Sequence, residues 1–270
     1  MSQGSDHRSV LDLSQYQAVL LDLDGTVYHE DHALPGAVEL ILRLQKIGQP
    51  YACLTNSTTS PHQLVSRLKR MGVEVDPAHI YTAASAACDY VLQRFPQGPR
   101  VLNISTSGVD EMLEGKVTWV KDDHSPCDAV ICGVPVNVHA TEDRLRAALV
   151  QLRGAAELVA ICADRVYPSP RGMEFGVGAF TAMFAYAANK KPVYCGKPEP
   201  RFFNELCRRL GVNPQRCVLI GDNLESDILG ANGVGMKTIL TLTGVATRSD
   251  AEHASPQLKP HAVIESLASL

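Results

Sequence analysis

The sequence predicts an α/β protein: a parallel sheet covered by helices, with a second α/β set placed within the chain. Three observations predict it. Short apolar runs such as Val19-Leu20-Leu21 and Val218-Leu219-Ile220 show no polar alternation, the pattern of strands covered on both faces. Stretches with apolar residues at helical spacing lie between such runs, as with Leu64 and Leu68. The runs also finish in residues able to do chemistry, on the side where open α/β sheets bind ligands.

In chain order, the first strand runs from Gln17 into Asp22-Leu23-Asp24-Gly25-Thr26, where Gly25 permits a sharp exit. Residues 27–32 are a polar excursion, and Pro35-Gly36 opens a helix that reaches Gly48. A second buried strand, residues 50–54, ends at Thr55-Asn56-Ser57, and Pro61 starts a helix through Met71. From about Tyr81 the texture changes. A helix near 83–95, strands at 101–104 and 129–132, a helix at 141–153 and a strand at 158–162 form a self-contained set. An irregular segment, 164–175, leads from there to a helix at 178–189. Residues 82–190 therefore read as one domain, inserted into a core made of 1–81 and 191–270. The core resumes with a strand at 192–195 ending at Gly196-Lys197-Pro198, a helix at 200–210, and a strand at 217–220 ending at Gly221-Asp222-Asn223. A short helix near 225–227, a last strand at 238–241 and a weak helix at 262–270 complete the reading.

Composition narrows the partners. The 270 residues are 45% hydrophobic, ample for packed cores, and the formal net charge of −4 offers no footprint for nucleic acid or an anionic membrane. A small-molecule partner is expected. Cys53, Cys132, Cys162, Cys195 and Cys217 lie inside strand-like runs and no C-x-x-C pair occurs, so the cysteines read as reduced, buried hydrophobes of a cytoplasmic protein. Residues 1–8 contain no apolar leader segment, and no run approaches the roughly 18 residues a membrane span needs. The histidines form no H-x-x-x-H or H-x-H pair, so a zinc site is not expected.

Strand side chains alternate, so Asp22 and Asp24 should face one side at the strand's end, where they repel unless a cation intervenes or one carboxyl stays protonated. Four runs of the split core end in polar groups: Asp22 with Asp24, Thr55, Lys197, and Asp222 with Asp227. Together they supply what phosphoryl transfer requires. Asp22 can attack phosphorus and form an aspartyl phosphate. Asp24 can protonate the departing oxygen and later accept a proton from water. Asp222 suits a hard cation, with Mg²⁺ favoured by an all-oxygen site, and Asp227 and Asn223 can orient its surroundings. Thr55 and the amides around Asn56 can donate to phosphoryl oxygens, and Lys197 can bridge phosphate and carboxylate. Each residue has an ordinary structural role as well: Thr55 as a helix cap, Lys197 as a solvated charge, Asp227 as a helix-terminus charge.

These motifs resemble those of the haloacid dehalogenase superfamily of phosphohydrolases. Asp22-Leu23-Asp24-Gly25-Thr26 is similar to its first motif, Leu54-Thr55-Asn56 to its second, Gly196-Lys197-Pro198 to its third, and Gly221-Asp222-Asn223 through Ser226-Asp227 to its fourth. A large insert between the second and third resembles class IIA, the NagD-like and p-nitrophenyl phosphatase-like enzymes with a C2-type cap. The resemblance implies a Rossmann-like core and Mg²⁺ held by Asp22, Asp222 and the backbone carbonyl of Asp24. It also implies a homodimer formed through the cap. Where that branch shows T-N-x-D, this chain has Ile161-Cys162-Ala163-Asp164, keeping only the aspartate. Asp164, Arg165 and Arg171, with Tyr167, Met173 and Phe175, are candidates for reading the substrate, or for ordinary packing and solvated charge.

The expected activity is hydrolysis of small phosphorylated metabolites: sugar phosphates, nucleoside monophosphates, phosphoglycolate or pyridoxal phosphate. A phosphotransferase or mutase would use the same aspartyl phosphate, and a receiver-like signalling module would keep it. Asp24 weighs against the last of these, because an acid–base beside the nucleophile hastens dephosphorylation.

Overall fold

The computed structural model describes residues 11–169 and 171–270, so the amino-terminal segment read for a leader lies outside it. The chain forms β1 (Ala18–Asp22), the short ribbon strands β2 (Tyr28–His29) and β3 (His32–Ala33), α1 (Ala37–Lys46), β4 (Tyr51–Thr55), α2 (Pro61–Arg70) and β5 (Ile80–Thr82). There follow α3 (Ala83–Arg94), β6 (Arg100–Ile104), α4 (Ser107–Leu113), β7 (Thr118–Trp119), β8 (Ala129–Cys132), α5 (Glu142–Arg153) and β9 (Glu157–Ala160). Next come β10 (Val166–Ser169), β11 (Gly172–Phe175), α6 (Val177–Ala188), β12 (Val193–Tyr194), α7 (Pro200–Leu210) and β13 (Cys217–Gly221). The last elements are α8 (Leu229–Gly233), β14 (Lys237–Thr241), α9 (Arg248–His253) and β15 (Ala262–Ile264).

Local chemistry accounts for the helix ends. Thr82 caps α3 by accepting from Ser85 N at 2.9 Å, Pro200 opens α7, and Gly211 closes it at φ +68°. Thr247 and Asp250 form a reciprocal capping box on α9.

Contacts divide the chain into two compact units, one of residues up to 55, 61–81 and 197–270, the other of 56–60 and 82–196. The first unit carries a six-stranded sheet in the order β15-β14-β13-β1-β4-β5. β1 pairs in parallel with both β4 and β13, so the strand order reverses at β1 and opens a crevice beyond its carboxyl end. Val19, Leu21, Val218 and Ile220 pack one face of this sheet onto Ile41, Leu44, Leu64 and Leu68, and Leu20 and Leu219 on the other face are buried as fully, which is why these runs lack polar alternation. The second unit has its own five-stranded parallel sheet, β12-β9-β8-β6-β7, with Leu102, Val130, Leu152, Leu158 and Phe184 in its core. No helix among the described residues is long and apolar enough to cross a membrane.

The strand expected to resume the core at 192–195 instead lies along β9, Val193 opposite Val159, so the second unit runs to Gly196 rather than 190. Residues 262–270 do not form one helix, only the short 3-10 turn Leu267–Ser269 at their end. Ala262–Ile264 pairs with β14 at the sheet edge, where unsatisfied ladder groups and a β-branched segment favour a strand. Within the segment 164–175, read as irregular, Val166–Ser169 and Gly172–Phe175 pair in antiparallel as β10 and β11, Val166 opposite Phe175. The proline-rich composition concealed that pairing, which a two-stranded ribbon tolerates.

Candidate active site

Register brings three of the expected residues to one edge. Asp22 stands opposite Leu54, with Thr55 one residue beyond, and Leu21 stands opposite Ile220, with Asp222 two residues beyond. Asp22, Thr55 and Asp222 are all buried there. Lys197 arrives differently: it follows the second unit's last strand, and its ammonium donates to Asp22 Oδ1 at 2.5 Å and Asp227 Oδ1 at 2.7 Å. It is therefore not the end of a core strand, and it is buried, not solvated. Asp227 is wholly buried in the wide helical turn after β13, where its other oxygen accepts from Asn223 N at 3.2 Å. Asn223 itself caps that turn through Glu225 N and Ser226 N.

The electrostatics of this cluster are lopsided. Three carboxylates, Asp22, Asp222 and Asp227, face one lysine, and oxygens of all three lie within 4.8 Å of one another. Burial, and then the charges of Asp227 and Asp222, push the Asp22 carboxyl well up against the opposing pull of Lys197. Burial and Asp227 likewise raise Asp222, to about 6. Burial alone would lower the Lys197 ammonium, but the charges of Asp22 and Asp227 and its bonds to both hold it above the usual lysine range. The residual negative charge is what a divalent cation would neutralise.

The donor set fits such an ion, since it offers oxygen only and suits a hard cation such as Mg²⁺. The backbone around it is shaped closely. Gly25 turns at φ +81°, and a Cβ there would stand 2.4 Å from Asp222 Oδ2; a Cβ at Gly244 would stand 1.9 Å away. Both oxygens of Asp227 are engaged, by Lys197 and by Asn223 N, so Asp227 braces the cluster while Asp22 and Asp222 remain to bind.

Asp24 lies just past β1 in the turn, exposed, and accepts from the Tyr28 hydroxyl at 2.9 Å. Asn56 belongs to the second unit, where its side-chain amide donates to both oxygens of Asp164 at 3.2 Å. The Cys162 thiol donates to the same carboxylate at 3.2 Å, so Asp164 fastens its own turn despite the lost threonine and asparagine. Arg165 is exposed on the approach to β10, and Arg171 pairs with Glu174 at 2.9 Å.

Sequence reasoning missed one segment altogether. After β14 the Thr243 hydroxyl donates to Gly25 O at 2.7 Å, Val245 N donates to Asp222 Oδ2 at 2.7 Å, and Ala246 N donates to Asp222 O at 3.0 Å. The signal was present, for β14 too is a buried run ending in hydroxyl residues, Thr241 and Thr243.

Residues 19–116 match a model of haloacid dehalogenase-like hydrolases, and 194–270 match a second, HAD-hydrolase-like model. An acid sugar phosphatase of Staphylococcus aureus is 32% identical over 242 residues, covering 89% of this chain and 92% of that protein. The chain belongs to the haloacid dehalogenase-like hydrolases. Within that family it is similar to NagD from E. coli K-12, with a TM-score of 0.84 at 28% identity, covering 95% of this chain and 98% of that one. It is also similar to a glycerol phosphate phosphatase of Mycobacterium tuberculosis in complex with magnesium, with a TM-score of 0.83 at 27% identity, covering 94% and 76%. The NagD-like placement is the one the four motifs imply.

Proposed function

We propose that this chain is a Mg²⁺-dependent phosphomonoesterase acting on small phosphorylated metabolites through an aspartyl phosphate at Asp22. The observation that carries the reading is the buried group of Asp22, Lys197, Asp222 and Asp227 beyond the carboxyl end of β1. Asp22, Asp222 and the Asp24 carbonyl would hold Mg²⁺, which when bound neutralises charge on the phosphoryl group. Asp22 attacks phosphorus; the bond to the ester oxygen breaks, and that oxygen takes a proton from Asp24. A water then gives its proton to Asp24 and attacks the aspartyl phosphate, releasing phosphate and restoring Asp22. Thr55 and the backbone amides around Asn56 donate to phosphoryl oxygens, while Lys197 steadies Asp22 and offsets its charge.

We assign substrate choice to the second unit as the cap, with Asp164, Arg165 and Arg171 and the exposed Tyr167, Met173 and Phe175 as the candidate residues. The sugar phosphate and glycerol phosphate phosphatases among its relatives support small polyol phosphates as the first class to test. A homodimer is supported by α6, which contains no charged residue yet exposes Met183 and Tyr186. Eight buried cysteines, none in a disulfide, support a reducing, cytoplasmic setting.

The test is phosphate release from a metabolite panel, with Mg²⁺ or chelator, by the native chain and Asp22→Asn. Release requiring both Mg²⁺ and Asp22 is expected. Phosphorylation of Asp22 followed by transfer to an added sugar would replace hydrolysis with phosphotransfer, and absence of any phosphorylated Asp22 would remove the reading.

A further inference from the structure

Tyr28 is almost wholly buried, 1% exposed, yet its hydroxyl ends on Oδ2 of the exposed Asp24. The backbone fixes that meeting. Gly25 N donates to Tyr28 O at 2.8 Å, and Asp24 and Tyr28 form a bridge across the turn that Gly25 reverses. Arg67 of α2 covers the ring, its guanidinium 4.7 Å from the centroid and Nη1 3.5 Å from the hydroxyl. The same guanidinium donates to Glu30 O at 2.7 Å and pairs with Asp31 at 3.4 Å, so it pins the β2–β3 ribbon that contains Tyr28. A phenylalanine would fill this space equally well. What the hydroxyl adds is a donated bond aimed at Asp24, beside the longer one it accepts from Arg67, and a buried tyrosine hydroxyl needs such partners.

We propose that Tyr28, backed by Arg67, is the positioning residue for Asp24, holding Oδ2 so that Oδ1 is the oxygen that gives the proton to the ester oxygen. The inference rests on the reading of Asp24 as the acid in aspartyl-phosphate formation. It predicts a dependence on the leaving group. An alkyl phosphate expels a strongly basic oxygen and needs the proton; p-nitrophenyl phosphate expels a stable aryl oxide and hardly needs it.

The experiment compares kcat/KM for glycerol phosphate and p-nitrophenyl phosphate in the native chain and in Tyr28→Phe, since kcat/KM reports the steps up to leaving-group departure. The expected result is a loss of about tenfold on the alkyl ester against about twofold or less on the aryl ester. Arg67→Met should show the same split in smaller measure, and carries the test if Tyr28→Phe does not fold. In an Asp24→Asn background, Tyr28→Phe should cost nothing further. Equal losses on both esters, or no loss on either, overturn the inference and leave Tyr28 as packing. A native chain that hydrolyses neither ester, or hydrolyses them with Asp22→Asn, overturns the phosphatase reading and this inference with it.

Discussion

Replacing Asp222 by asparagine should stabilise the metal-free chain at neutral pH and destroy its response to Mg²⁺. The Asp222 carboxyl rises from an ordinary 3.8 to about 6, first through burial and then through the charge of Asp227. A carboxyl harder to ionise in the folded chain than in the unfolded one contributes stability that is fully present below about pH 4. That contribution is lost as the pH climbs through about 6. The loss amounts to about 3 kcal/mol, at 1.36 kcal/mol for each tenfold change in the ionisation constant. Asparagine carries no charge to desolvate, and its carbonyl oxygen can still accept from Val245 N as Oδ2 does now. Urea unfolding in chelator should therefore find Asp222→Asn more stable than the native chain by up to about 3 kcal/mol at pH 7.5, with the gap closing near pH 4. Mg²⁺ at a hundred times its Kd should return about 2.7 kcal/mol to the native chain and almost nothing to the variant. If the variant is no more stable at pH 7.5 in chelator, or if Mg²⁺ stabilises both chains alike, crowded buried carboxylates do not govern this site.

Three further outcomes follow from the same geometry. Lys197→Met leaves Asp22 and Asp227 buried without their ammonium and should cost about 3–5 kcal/mol at pH 7.5, and less at pH 4.5, where the Asp22 carboxyl, raised by burial, takes up its proton; urea unfolding at both pH values measures it. Gly244→Ala places a methyl group against Asp222 and should lower stability by about 1–3 kcal/mol, with Mg²⁺ affinity by calorimetry falling about 10–100-fold. Gly233→Ala, which meets nothing within 4 Å, is the control expected to leave Mg²⁺ binding unchanged. All eight cysteines are buried thiols in no disulfide, and burial pushes the Cys53 and Cys132 thiols up to about 12, so thiol titration should read close to zero in the native chain and eight in denaturant.

Much of the site was legible because buried parallel strands write plainly. An unalternating run such as Val19-Leu20-Leu21 has few other places to go, and a carboxylate at its end must lie on the binding edge of the sheet. The sequence therefore determined the α/β class, the strands bearing Asp22, Thr55 and Asp222, and the motifs of the haloacid dehalogenase-like hydrolases. Short-range pattern could not determine which sheet a short strand joins. Val193–Tyr194 looks like a core strand, but its partner is Val159–Ala160 in the other unit; strand partnership is a long-range choice that no local propensity encodes. The C-terminal Ala262–Ile264 was misread for the same reason, since only the free edge of β14 makes it a strand. Tertiary structure alone also decided how the charged groups share their bonds. Lys197 meets Asp22 and Asp227 across 175 and 30 residues, and Val245 meets Asp222 across 23. Such pairings follow from where buried charges must find partners once water is excluded, and that requirement exists only when the chain has folded.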